Sequence, residues 1–196
     1  MSPSPLVQDD IERILIGESE IRSGVERVAG ELVSALGLGT GASAEVTVLA
    51  VLGGSVVFVA DLIRRLPFAL RLGFVWAQSY RQDTESGRLE LSFLPPEEEF
   101  GGRRVLLVDD ILDSGRTLQR IRTDILARGA REVRTCVLLD KPARRALPIQ
   151  ADHVGFVIED RFVVGYGLDY AGRYRNLPYV GALKPRVFAA TTRGKA

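Results

Sequence analysis

Three apolar runs, at residues 46–52 (VTVLAVL), 105–108 (VLLV) and 133–139 (VRTCVLL), constrain the fold of this chain more than any other feature. The first is almost wholly aliphatic and lacks the apolar–polar alternation of a half-solvated strand. That pattern belongs to strands covered on both faces, as in a parallel sheet. The stretches after them switch to helical spacing. In 55–66, Phe58, Leu62 and Leu66 share one helical face; in 117–128, Leu118, Ile121, Ile125 and Leu126 point inward before Gly129 stops the run. Strands alternating with helices predict parallel pairing through right-handed crossovers. The expected fold is a doubly wound α/β sheet with its ligand site beyond the carboxyl ends of the strands.

The other segments hang on this frame. Residues 11–37 carry Ile21, Val25, Val28, Leu32 and Leu36 at helical spacing and read as one amphipathic helix. The GLGTG at 37–41 precedes a strand where a dinucleotide-binding loop would follow one, so it reads as a turn. A further strand is expected at 71–79. Residues 80–102 are polar, acidic and proline-marked around a short strand candidate at 89–93, the composition of a mobile flap or hairpin. Past Pro148 come short β-like runs at 153–158 and 162–165, then a basic tail from Lys184, and no segment repeats another.

A chain of 196 residues suits one domain with a substantial core. Its 26 basic and 25 acidic side chains leave a net charge of +1, where a nucleic-acid binder carries a clear basic excess. The longest apolar stretch, 46–60, is broken by Gly53, Gly54 and Ser55, short of the roughly 20 residues of a spanning helix. Residues 1–10 lack the apolar core of a signal peptide. The one cysteine, Cys136, reads as a buried small hydrophobe in a reducing compartment, and the lone His153 as structural. A soluble cytoplasmic protein is expected, with no membrane or nucleic-acid partner.

The segment 105–118, VLLVDDILDSGRTL, carries the chemistry. An apolar strand delivers Asp109 and Asp110, then Asp113, and the chain turns through Ser114 and Gly115 into a helix near Thr117. Such a turn aims backbone N–H groups and two hydroxyls from the positive end of a helix, which suits a phosphate monoester. The lysine of a P-loop is absent. Carboxylates beside a phosphate cradle suit ribose hydroxyls and the hydration shell of a magnesium ion. Any one of these acids alone reads equally as a helix cap or a solvated turn.

VDDILDSGRT resembles the phosphoribosyl pyrophosphate (PRPP) motif of type I phosphoribosyltransferases, and the acid at Asp113 resembles the hypoxanthine-guanine branch. LGGSVVFVADLIRRL is similar to that branch's pyrophosphate loop and helix, Ser79-Tyr80 to its flexible catalytic loop, and DRFVVGYGLDY at 160–170 to its base-binding and second-metal segment. The resemblance covers about residues 14–180. It implies the type I fold: a twisted parallel sheet flanked by helices, as a core over about 15–145. A small hood from 150–196, with an N-terminal contribution, and a flexible loop at 79–102 complete it.

The resemblance also implies roles. Asp109 and Asp110 would hold the ribose hydroxyls and Mg²⁺; Asp113, Ser114, Gly115, Arg116 and Thr117 would wrap the 5′-phosphate. Leu52, Gly53, Gly54 and Arg175 would face pyrophosphate, and Asp169 would bind a second Mg²⁺. Asp113 would take a proton from the purine as general base, while Ser79 and Tyr80 close over the reaction. Lys141 would donate to a 6-oxo group, Phe162 would stack on the base and the Val163 backbone would read its edge. The substrates implied are PRPP and a 6-oxopurine, the products a nucleoside monophosphate and pyrophosphate, and the assembly a homodimer or homotetramer.

Two positions depart from the family pattern: Gly53 replaces a basic residue in the pyrophosphate loop, and Asp109 stands where many relatives have Glu. The Leu52–Gly53 peptide is expected to be cis when PRPP is bound. Two rival readings share the fold, an RNA-binding regulator and a transferase for another base such as xanthine. Asp113, Lys141 and Phe162 favour catalysis over the first.

Overall fold

The structure, a computed structural model, describes residues 9–37, 46–79 and 89–192. In chain order the elements are β1 (Ile11–Ile16), α1 (Glu18–Leu36), β2 (Val46–Leu52), α2 (Val56–Ile63), β3 (Leu70–Ser79), β4 (Leu89–Phe93), β5 (Arg104–Leu112), α3 (Arg116–Ala127), β6 (Glu132–Asp140), β7 (His153–Val157), β8 (Val163–Val164), β9 (Val180–Leu183) and α4 (Pro185–Thr192). A large sheet runs in the order β4-β3-β2-β5-β6-β7, parallel except for the antiparallel edge strand β4. A small antiparallel sheet, β1-β9-β8, forms the hood.

The unbroken apolar runs are explained by two cores. Val48 and Ala50 of β2, with Leu106, Val108, Cys136 and Leu138, pack beneath α1 and α2 against Val25, Leu32, Phe58 and Leu62. Their chain neighbours Leu49 and Val51, with Leu107 and Val137, pack on the other face against Leu118, Ile121 and Ile125 of α3. Successive residues thus enter opposite cores, and each fully buried Leu or Val contributes about 1.5–3 kcal/mol. Burial also raises the Cys136 thiol, as suits an inert core residue.

The N-terminal segment differs from its reading as one helix. Residues 11–16 form strand β1, with Ile11 opposite Leu183 and Ile16 opposite Val180. The helix begins only after Gly17, whose N–H donates to Glu20 Oε2 at 2.7 Å, and it ends at Gly37 with φ 62°. Pairing with a distant strand overrides the local pattern here. β5 also outruns the expected turn at 109–115: Asp109, Ile111 and Leu112 pair with Val137, Leu139 and Asp140 of β6, so the acids sit on sheet. The basic tail contains helix α4, and β7 joins the large sheet beside β6. Of GLGTG at 37–41, residues 38–41 lie outside the described residues.

Candidate active site

β5 delivers the acids to the carboxyl end of the sheet, where Asp109 is buried. The Asp110 N–H donates to Asp109 Oδ1 at 2.9 Å and the Ile111 N–H to Asp110 Oδ1 at 2.8 Å. Burial, and after it the charge of Asp110, raises the Asp109 carboxyl well above the usual carboxylate range. Burial raises Asp110 as well, opposed by hydrogen bonds and the Arg175 charge. Two adjacent carboxylates withdrawn from water disfavour their own ionisation, and hydroxyl donors or a cation beside them relieve that cost.

After Leu112 the chain turns through Asp113, Ser114 and Gly115 into α3. Gly115 caps the helix with φ 84°, and a Cβ there would run into Ile149, so both conformation and space demand glycine. The Arg116 N–H donates to Ser114 Oγ at 3.4 Å, while the Arg116 side chain is exposed. The turn is braced from behind by Arg145, a residue the sequence did not single out. Its Nε donates to the Asp113 carbonyl at 2.9 Å, Nη2 to the Leu112 carbonyl at 3.2 Å, and it pairs with Asp140.

Across the cleft, β2 ends in the Gly53-Gly54 turn, and the Leu52–Gly53 peptide is cis. A Cβ on Gly54 would fall inside the Asp110 carboxylate, and a Cβ on Gly167 would strike the Gly54 carbonyl. A Cβ on Gly53 would stand 3.8 Å from Arg175 Nη2, so Arg175 supplies positive charge beside the loop residue that lacks it. Arg175 is itself held by Asp169 Oδ1 at 2.8 Å and by the Gly167 carbonyl at 2.6 Å. The resulting cleft of about 430 Å³ is walled by Leu52, Gly53 and Gly54, by Asp109, Asp110, Asp113, Ser114, Gly115 and Thr117, and by Asp169 and Arg175.

Beside Asp113 the character of the site changes. Lys141 is only 5% exposed; its Nζ donates to the Arg161 carbonyl at 3.1 Å and stands 3.8 Å from both Asp113 Oδ2 and Asp160 Oδ1. Asp113 Oδ1 is shielded from water and has no hydrogen-bond partner among the described residues. Phe162 is 39% exposed, with its ring edge-on to Tyr170. The Val163 side chain is buried while its backbone pairs opposite Ala182 of β9. Ser79 ends β3 opposite Leu89, and Tyr80 lies outside the described residues.

The eleven cleft residues named above were anticipated from sequence; Asp160, Gly167 and Arg145 were not. Gly167 could be suspected from its place in the 160–170 segment, whereas the bracing role of Arg145 has no local signal, since the Leu112 and Asp113 carbonyls it holds lie more than thirty residues earlier.

The large sheet, the small antiparallel sheet and the cleft define an α/β protein with its paired acids and glycine turns at the carboxyl ends of the parallel strands. The phosphoribosyl transferase domain profile matches residues 18–171. The chain is 40% identical over 183 residues to the hypoxanthine-guanine phosphoribosyltransferase of Bacillus subtilis, covering 93% of this chain and 99% of that protein. It is equally 40% identical to the bifunctional protein TilS/HprT of Listeria innocua, but spans only 28% of that longer protein's length. A crystallised hypoxanthine phosphoribosyltransferase from Staphylococcus aureus superposes with a TM-score of 0.83 at 34% identity, covering 95% of this chain and 99% of that one. The chain belongs to the phosphoribosyltransferase family, in its hypoxanthine-guanine branch.

Proposed function

We propose that this protein transfers the 5-phosphoribosyl group of PRPP to N9 of hypoxanthine or guanine, giving IMP or GMP and pyrophosphate in purine salvage. The observation that carries the reading is the Asp113 carboxylate, which has an oxygen without a hydrogen-bond partner among the described residues and lies beside the buried Lys141, whose ammonium binds the Arg161 carbonyl next to Phe162. An acceptor without a partner suits an incoming N–H, and a buried ammonium suits a carbonyl oxygen. A 6-oxopurine carries both on one edge. Adenine offers a 6-amino donor there and gives the ammonium no acceptor.

In this reading the amides and hydroxyls of Ser114, Gly115 and Thr117, with Arg116 and Asp113, hold the 5′-phosphate. Asp109 and Asp110 take the ribose hydroxyls. Leu52, Gly53, Gly54 and Arg175 receive the pyrophosphate, Phe162 stacks on the base, and the Val163 backbone reads its edge. As N9 attacks C1′ and the bond to pyrophosphate breaks, Asp113 takes the proton released from the purine ring. The transition state has oxocarbenium character, so alignment and neutralisation of the departing charge dominate. Ser79 and Tyr80 are the residues proposed to close the site against water.

The donor set fits Mg²⁺. Among the described residues no three acidic, His or Cys side chains gather into a self-sufficient metal site. Paired acids at Asp109 and Asp110, and Asp169 across the cleft, suit an ion that keeps waters and shares substrate oxygens. Bound there, Mg²⁺ supplies charge neutralisation for ribose-linked pyrophosphate.

The proposal includes one domain, 1–196, with core and hood divided as the family resemblance implies. It includes a homodimer or homotetramer. Leu72, Phe74 and Trp76 stand outward on one face of β3, and Phe93 of β4 is opposite Trp76, an apolar ladder suited to a second copy. A cytoplasmic setting keeps the free Cys136 thiol reduced. Incubation with PRPP, Mg²⁺ and each purine base, followed spectroscopically, tests the reaction. Nucleotide is expected from hypoxanthine or guanine and not from adenine; no product with any base refutes the proposal.

A further inference from the structure

The C-terminal helix α4 has no role in the reaction as described so far, yet one of its side chains touches the base-stacking residue. Phe188 lies against Phe162 with ring centroids 5.2 Å apart and planes 21° from parallel. Tyr170 meets the Phe162 ring edge-on at 5.3 Å. Phe162 therefore has one stacked and one perpendicular aromatic neighbour while it remains 39% exposed. A phenyl ring on a turn would otherwise sample several rotamers, and each would have to be given up when a base stacks.

The helix that carries Phe188 is itself anchored. The Leu183 N–H donates to the Phe162 carbonyl at 2.9 Å, so the strand leading into α4 is tied to the residue it supports. The Lys184 N–H donates to the Asp10 carbonyl at 2.9 Å, and its Nζ lies 3.3 Å from Asp9 Oδ1. Arg186 Nη2 binds the Asp9 carbonyl at 2.7 Å and Asp9 Oδ2 at 2.8 Å. The Tyr174 hydroxyl donates to Asp10 Oδ2 at 2.8 Å. Phe188 packs with Tyr170, Tyr179 and Val187 on the cluster formed by Ile11, Val164, Tyr174, Leu177 and Leu183.

Resting on the proposed transferase reading, we infer that Phe188 is a positioning residue for the purine: it backs Phe162 and fixes the orientation in which the exposed part of that ring meets the base. The strap from Asp9 and Asp10 through Arg186 holds α4 in place for this. Phe188 touches Phe162 and is not among the residues lining the cleft beside the acids, so its influence should fall on ligands that carry a base.

The test compares Phe188→Ala, Phe188→Leu and Phe188→Tyr with wild type. Phe188→Ala is expected to raise the KM for hypoxanthine roughly three- to tenfold, the span of one aromatic stacking pair, with kcat and the KM for PRPP within about twofold. By calorimetry it should weaken a purine nucleoside monophosphate by the same factor and leave ribose 5-phosphate unchanged. Phe188→Tyr should restore wild-type behaviour, and Phe188→Leu, which keeps apolar volume but no ring, should fall between; these two decide the matter if Phe188→Ala does not fold. An active wild type with an indifferent Phe188→Ala overturns the inference. So does a lowered base KM, which would mean that Phe188 sits where the base belongs, and so do equal losses for PRPP and base. A wild type inactive with every base refutes the transferase reading instead.

Discussion

At the end of the cleft proposed for the phosphates, glycines crowd against the acids and the helix start, whereas at the end proposed for the base long side chains lean on other side chains. Gly54 and Gly115 are there because a methyl group would collide with Asp110 or Ile149. Lys141 and Phe162 are held by Arg161, Asp160, Tyr170 and Phe188, drawn from the hood and the helix after it. A backbone cradle on strand ends loses little entropy when it binds, and phosphate geometry never varies. A pocket of side chains can be re-tuned for another base by a few substitutions, at the cost of needing support.

Asp113 stands at the junction of the two ends, and its alteration should be felt most. Asp113→Asn is expected to lower kcat by roughly a hundredfold or more while KM values change little, the contribution typical of a positioned general base. Equal losses in kcat and affinity would make it a binding residue instead. Gly54→Ala should break the phosphate end alone. By displacing the Asp110 carboxylate it should raise the KM for PRPP some tenfold or more and leave nucleobase discrimination intact, as steady-state kinetics with two bases would show. Lys141→Gln should do the converse. A lost charged hydrogen bond raises the KM for hypoxanthine by about tenfold, with PRPP binding unchanged.

The smallest effect concerns stability. Because burial raises the folded Asp109 carboxyl, the folded state holds more protons than the unfolded one at pH values between the two ionisations. The contribution of Asp109 to the stability of the unliganded protein is therefore fully present below its unfolded pKa and is lost as pH rises through the raised range. Asp109→Asn removes that fall, so its Tm at neutral pH should exceed wild type by about 2–4 °C, with the gap closing toward acid. A lower Tm for the variant at neutral pH would show that the charge is stabilised rather than tolerated.

The same contrast governs what could be read without coordinates. That the acids and glycine turns line one cleft was legible because their residues are contiguous: strand, acids, Ser, Gly and Thr within 105–118, and Leu52-Gly53-Gly54 after an unbroken apolar run. Strand β1 was misread because residues 11–16 directly precede the helical run that starts at Ile21 and become sheet only through the pairing of Ile11 with Leu183 and Ile16 with Val180. Helix α4 was hidden in a tail that looked merely basic.

By itself the sequence determined the parallel sheet, the glycine turn into α3 and the family, since hydrophobic period, glycine placement and clustered acids act over a few residues. Only the tertiary structure decided that Arg145 braces Asp113, that Arg175 stands beside Gly53, and that Phe188 backs Phe162. Those partners lie more than twenty residues apart, and no local propensity encodes a contact that exists only after the sheet and hood have closed on one another.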